Sequence, residues 1–499
     1  MQHTGGPVGS DVARRQVATA EFAIAVGVGF VGASAYLATM CQTVFWYDSA
    51  EYAAAAHTLG IPHPPGYPLY TLIGHLFTRL FSDPAYALNL MSATFGGVAV
   101  SGCYLLARRL GTGRTASAMA AMLLAQNPVF WRNAVVAEVY TPALAALAAV
   151  WCLALLAIER GRASLLVAAS LIAGLGLGLH LFLATTGLGL ALLVWGHEPS
   201  GETGAMRQLW HRPSLARRLR LSASCLAATC VGASIFVWIP IRASMGPAVN
   251  FEDPSTLERF MWMLSGGQYK HWFVSEISGA RMMGIVRIFI DYLSLPGLIA
   301  GATGIALLLR RRPLIAVALA LGIIGNIWFF FDYRVHDVEV FFLPAGLLTT
   351  AASAVTADAV LKRCTRRRWV GGLLVSTSAV LILTRSRESF VRNDLASYTE
   401  PRDWAEQVCQ RLPTDAIIVN YTTFQEWKYD AVFRSYYQVV LDRRRDVHVA
   451  LAPPGPAVAM WLAQGRDVFA YHPIGRISKH FMTTKEGPMY RVRARTTRP

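Results

Sequence analysis

Runs of about twenty apolar residues recur along this chain, separated by short clusters of arginine, and no other feature limits its fold so tightly. A helix needs about 20 such residues to cross the hydrocarbon core of a bilayer. Composition agrees, since 54% of the 499 residues are hydrophobic and only 15% charged, against roughly 25% in a soluble domain. The chain therefore reads as an all-α polytopic membrane protein. The net charge of +16 lies largely between the apolar runs, where basic residues set topology, so nucleic acid is excluded as a partner. Cys103, Cys152, Cys225 and Cys230 sit inside apolar runs, while Cys41, Cys364 and Cys409 are scattered. Neither a disulfide framework nor a zinc site is expected from that spacing.

Assigning spans and basic loops together, with a cytoplasmic N-terminus over 1–21, predicts eleven transmembrane helices. They fall at 22–41, 86–107, 116–130, 141–158, 164–179, 181–195, 222–241, 290–309, 314–331, 339–361 and 369–384. The run 22–41 lacks a small-residue cleavage site after it and is kept as a helix. Arg108, Arg109 and Arg114, then Glu159, Arg160 and Arg162, then the loop from Arg207 to Arg220, RRR at 310–312 and KRCTRRR at 362–368 all fall inside. That order holds only if 42–84 stays outside, so its apolar piece 66–81 is read as an interfacial helix. The multi-span region covers 22–384. The tail 385–499 has soluble composition, with short apolar runs at 416–420, 447–451 and 467–471 between helix-like stretches. It predicts a small α/β extracytoplasmic domain.

This threading gathers the unusual polar residues on one face. Asp48, Glu51 and His63 lie in the first outer segment, Glu138 in the second, His180 in the third, Arg242 in the fourth, and Asp332, Arg334, His336 and Asp337 in the fifth. Ionisable groups at a membrane boundary point to function, although solvated loops also hold them. Asp48 and Glu51, three apart, fit a capping box in which Glu51 reaches back to the helix start. A carboxylate fixed there also suits proton removal from an acceptor hydroxyl. HPPGYP at 63–68 reads as a rigid turn, in which His63 either packs or binds substrate. Arg242 at a span end fits snorkelling or phosphate binding equally.

The stretch DSAEYAAAAHTLGIPHPPGYPLYTLIGHLF closely resembles the transmembrane protein O-mannosyltransferase-like family of GT-C fold, formerly grouped as a domain of unknown function. FWRNAVVAEVYTPAL, GLGLGLHLF, WIPIRASMGPAVNFEDPSTLERFMWMLSGGQY and FFDYRVHDVEVFFLPA extend the likeness over about 22–345. The tail is similar only loosely. The resemblance implies a GT-C-like fold and a polyprenyl-phosphate-linked sugar as donor. It also implies a protein or glycan acceptor on the outer face and inversion at the anomeric carbon. By this likeness Asp48 is the general base with Glu51 beside it, and His63, Glu138 and His180 line the site. Arg242 and Arg334 become candidates for the donor phosphate, with Asp332 and His336 as further substrate contacts. Ala50 stands where many relatives have Gly, which leaves the acidic pair intact.

No resident cofactor or divalent metal is expected, because no acid cluster offers enough liganding oxygens. The expected location is a multi-pass protein in a bacterial cytoplasmic membrane, with its site facing outward and membrane lipid around it. Two other readings compete. A lipid-linked saccharide transporter would place ionisable residues mid-membrane and on both faces, and an enzyme of the same fold would glycosylate a lipid or cell-envelope polysaccharide.

Overall fold

The computed structural model describes residues 7–197, 214–274, 278–364, 368–421, 424–473 and 480–495. Arg207 and Arg212 of the long basic loop, and 365–367 of KRCTRRR, lie outside the described residues. The chain opens with α1 (Pro7–Thr39), α2 (Asp48–Thr58), α3 (Pro68–Thr78), α4 (Pro84–Arg109), α5 (Arg114–Ala125), α6 (Pro128–Ala134) and α7 (Tyr140–Arg160). Then come α8 (Ala163–Leu177), a 3₁₀ turn leading into α9 (Gly187–Trp195), α10 (Leu215–Ala233), α11 (Trp238–Ala243) and α12 (Leu257–Leu264). The bundle closes with α13 (Gly279–Arg311), α14 (Pro313–Phe330), α15 (Leu343–Cys364) and α16 (Arg368–Arg392).

All eleven expected segments fall on helices, but among the described residues only seven helices are long and apolar enough to cross a membrane. The expected span 116–130 is broken at Asn127, whose side chain accepts from the N–H groups of Val129 and Phe130 and starts α6 with Pro128 at its first position. That is a helix N-cap placed inside an apolar run. The segments Ala163–Leu177 and Leu181–Trp195 are shorter apolar helices. α3 has 11 residues, about 16 Å at 1.5 Å per residue, half the hydrocarbon thickness.

Small residues allow the inner helices to touch backbone to backbone. At Gly304 of α13 an added Cβ would overlap the carbonyl oxygen of Ala352 in α15. The basic loops meet at one end of the bundle. There Arg108 and Arg114 each lie 2.8 Å from Glu21, Arg109 pairs with Glu159, and Arg312 donates to the Arg109 carbonyl at 3.0 Å.

At the other end sits the C-terminal unit. It comprises α17 (Glu400–Arg411), α18 (Phe424–Asp430), a π-helical segment (Ala431–Gln438), α19 (Gly455–Ala463) and five strands. These are β1 (Ile417–Asn420), β2 (His448–Leu451), β3 (Val468–Ala470), β4 (Phe481–Glu486) and β5 (Met489–Ala494), in the order β2-β1-β3-β5-β4. β1 is parallel to β2 and β3, as three short apolar runs between helices suggested, and β5 is antiparallel to β3 and β4. The β4–β5 hairpin has no counterpart in the sequence reading because Lys485, Glu486, Arg491 and Arg493 give it polar faces.

Candidate active site

α2 starts at Asp48, and no side chain caps it. The capping-box expectation for Glu51 is therefore corrected. Glu51 turns away from the helix start to His63, accepting from its backbone N–H at 3.2 Å and contacting its Nδ1 at 2.5 Å. Both side chains are almost fully buried, at 3% and 7% exposure. A buried carboxylate is tolerated when it is paired and hydrogen-bonded, and His63 supplies both. Glu51 thus holds His63 in place.

Asp48 is the open member of the group, with 38% of its side chain exposed. One oxygen lies 3.7 Å from His63 Nε2 and the other accepts from the indole N–H of Trp427 at 3.1 Å. Tyr52 Oη lies 3.3 Å from the same His63 nitrogen. Burial pulls the His63 pKa down, but the charges of Asp48 and Glu51 and the Glu51 hydrogen bond outweigh it and hold it up at about 9. The two flanking carboxylates thus favour the charged form of the imidazole, while burial also pushes the Glu51 carboxyl up.

The HPPGYP turn brings His63 to this place. Gly66 has φ of 87°, a conformation side chains resist, and an added Cβ would lie 2.7 Å from Ile239. Two main-chain bonds then stitch the first segment to the fourth: Ile61 N–H donates to Val249 at 2.7 Å and Phe251 N–H to Ile61 at 3.0 Å.

Glu138 stands half-buried before α7, its main chain held by Ser92. Burial, reinforced by the negative charges of Asp48 and Asp337, holds its carboxyl well above the usual range. Asp337 is raised by burial as well, with His336 opposing and Asp48 adding to the shift. His180 is buried against Tyr67, Tyr140, Phe182 and Phe341. Its Nδ1 accepts from Phe182 N–H at 3.0 Å, which leaves the ring proton on Nε2, and burial lowers its pKa to about 3.

Arg242 lies beside the end of α2. Its Nε donates to the Leu59 carbonyl at 2.7 Å and its Nη2 to Thr58 at 3.0 Å. Two of its donors satisfy the end of α2, where carbonyls lack helical partners and a cation is favoured. Arg334 and His336 are exposed on the hairpin after α14, and Asp332 is half-buried with Oδ1 unpartnered among the described residues. That hairpin is joined to the fourth segment by Val274 N–H to Asp332 at 3.1 Å and Arg334 N–H to Trp272 at 2.8 Å. Asp48, Glu51, His63, Glu138 and His180 thus form one cup, while Asp332, Arg334 and His336 stand on a neighbouring hairpin.

The residues that build this cup belong to a matched segment. Residues 48–200 match the Protein O-mannosyl-transferase TMEM260 N-terminal domain. That match covers the first outer segment, on which the likeness was read. The mouse protein named Protein O-mannosyl-transferase TMEM260 is 35% identical over 111 residues, 22% of this chain and 16% of that protein. The Dictyostelium discoideum protein named Protein O-mannosyl-transferase tmem260 is 27% identical over 110 residues, 21% of this chain and 13% of its own length. The matched stretch thus spans under a fifth of either relative. Among solved structures, ArnT from Cupriavidus metallidurans bound to undecaprenyl phosphate superposes with a TM-score of 0.60 at 14% identity, covering 97% of this chain and 98% of that one. Its apo form gives 0.61 at 13%, over 96% and 98%. The fold is therefore GT-C-like along nearly the whole chain, and the chain is an integral membrane protein.

Trp427 was not among the residues singled out from the sequence. It lies 379 positions from Asp48, in a tail that reads as ordinary soluble protein, and no local pattern announces it. Tyr52 and Tyr67 carry a weak signal, as aromatic residues flanking the His63 turn.

Proposed function

We propose that this protein is a membrane glycosyltransferase that moves a sugar, mannose in our reading, from a polyprenyl-phosphate donor to the hydroxyl of a protein Ser or Thr. The reaction takes place at the end of the bundle that carries Asp48, which we read as the extracytoplasmic face of a bacterial cytoplasmic membrane. The single observation that carries the reading is the Asp48 carboxylate. It is open to the cup on one side, held by Trp427 at 3.1 Å and flanked by the His63 imidazole at 3.7 Å. Two relatives, similar over 111 and 110 residues, are named Protein O-mannosyl-transferase, and the ArnT structure of the same fold holds undecaprenyl phosphate.

In this mechanism Asp48 accepts the acceptor hydroxyl proton as its oxygen bonds the anomeric carbon from the face opposite the phosphate. The bond from that carbon to the phosphate oxygen breaks, polyprenyl phosphate departs, and the configuration inverts. Arg334, exposed beside the cup, meets the phosphate, for which a planar guanidinium is suited. Glu138, whose carboxyl burial and its acidic neighbours push well above the usual range, contacts a sugar hydroxyl. A lipid-borne donor needs no nucleotide fold.

Purified protein given polyprenyl-phosphate mannose and a Ser/Thr peptide should yield an O-mannosyl peptide of inverted anomeric configuration, read by mass spectrometry and NMR. Transfer only to a lipid or glycan acceptor overturns the protein-acceptor reading. Absence of transfer from any polyprenyl-phosphate sugar overturns the donor.

A further inference from the structure

The C-terminal unit is not merely appended to the bundle. Val44, Trp46, Ala50, Ala53 and Ala85 share one buried core with Ala405, Ala431, Val432, Tyr436 and Tyr437. Two polar ties flank that core. Tyr436 Oη donates to Asp83, the N-cap of α4, at 2.7 Å, and Trp46 Nε1 donates to Tyr398 Oη at 3.0 Å. The helix that carries Trp427 is itself fixed. Asp430, the last residue of α18 and 1% exposed, is bonded by Arg434 one turn later at 2.8 and 2.7 Å. Trp427 reaches the cup from this fixed base, with its ring against Phe251 and His63.

We infer that Trp427 is a positioning residue for the Asp48 carboxylate, so that the catalytic centre is completed only by the C-terminal unit. This rests on Asp48 being the base. The physical reason is a balance of two partners. One Asp48 oxygen is drawn toward His63, 3.7 Å away, and closing that gap would spend its lone pairs on an ion pair. The other oxygen is tethered from the opposite side by the Trp427 N–H. The tether keeps the carboxylate short of full contact with His63 and leaves a lone pair aimed into the cup.

Trp427→Phe keeps the ring contacts and removes the N–H. In full-length detergent-purified protein with polyprenyl-phosphate mannose, kcat should fall about tenfold, the scale of one hydrogen bond to a charged group. The donor KM and the thermal midpoint should stay unchanged. Trp427→Ala should fall further. Asp48→Asn is run beside it as the control for the underlying reading. If Asp48→Asn keeps near-normal turnover, the base assignment fails and this inference with it. If Asp48→Asn is inactive while Trp427→Phe keeps the wild-type kcat, the base stands and the positioning role is overturned. A loss of kcat that tracks a lowered thermal midpoint likewise overturns it, as a packing effect.

Discussion

Glu51 grips His63 twice, through the backbone N–H and through Nδ1, with both side chains buried. Removing one partner of a buried pair leaves the other uncompensated, at a cost of about 3–5 kcal/mol. Glu51→Ala should lower the thermal midpoint in detergent accordingly, whereas Glu51→Gln, which keeps an acceptor, should cost less. Equal midpoints for Glu51→Ala and wild type would show that the pair does not support the fold.

The same pair makes stability depend on pH in a definite direction. His63 has a folded pKa of about 9 against an ordinary value of 6.5. Its contribution is therefore complete below about pH 6.5 and is lost as pH rises through about 9. It amounts to up to about 3 kcal/mol. Between pH 6.5 and 9 the wild type should lose stability relative to His63→Gln, measured by unfolding in detergent at several pH values. Parallel curves for the two proteins would refute the charged state of His63.

Asp48→Asn keeps the size of the side chain and an oxygen to accept from Trp427. Since a positioned base contributes roughly a hundred- to ten-thousandfold, transfer should fall by that order with expression and thermal midpoint little changed. Near-normal turnover would move the base to Glu138 or Asp332.

Arg242 and Arg334 should separate cleanly. Arg242→Ala removes two donors from the carbonyls of Thr58 and Leu59, so it should lower the thermal midpoint, at about 1–3 kcal/mol for bonds to a charged group, with kcat falling alongside. Arg334→Ala should instead raise the apparent donor KM at an unchanged midpoint. Loss of donor affinity in Arg242→Ala without loss of stability would return it to the phosphate site.

Among the described residues no three His, Cys, Asp or Glu side chains are grouped to hold a metal ion. We propose that no divalent metal takes part, so transfer should survive exhaustive EDTA treatment. Loss of activity restored by a divalent cation would place a metal in the cup.

Seven of the expected spans and the gathering of acids at one end of the bundle were legible in the chain because both are one-dimensional. Apolar length fixes what can cross a bilayer, and the arginine clusters fix which loops lie together, as Arg109, Arg312 and Glu159 do. The turn around Gly66 was legible too, since only glycine suits its backbone. Asn127 escaped notice because a cap inside an apolar run leaves the hydropathy almost untouched. The partners of each side chain were decided only by the tertiary structure. Glu51 had the spacing of a cap but lies within reach of His63, and burial makes that imidazole the better partner. Arg242 stood at a span end like a phosphate ligand, yet α2 ends beside it with carbonyls to satisfy. Trp427 meets Asp48 because the C-terminal unit folds back onto α2, a contact that 379 positions of separation hide from any reading of neighbours.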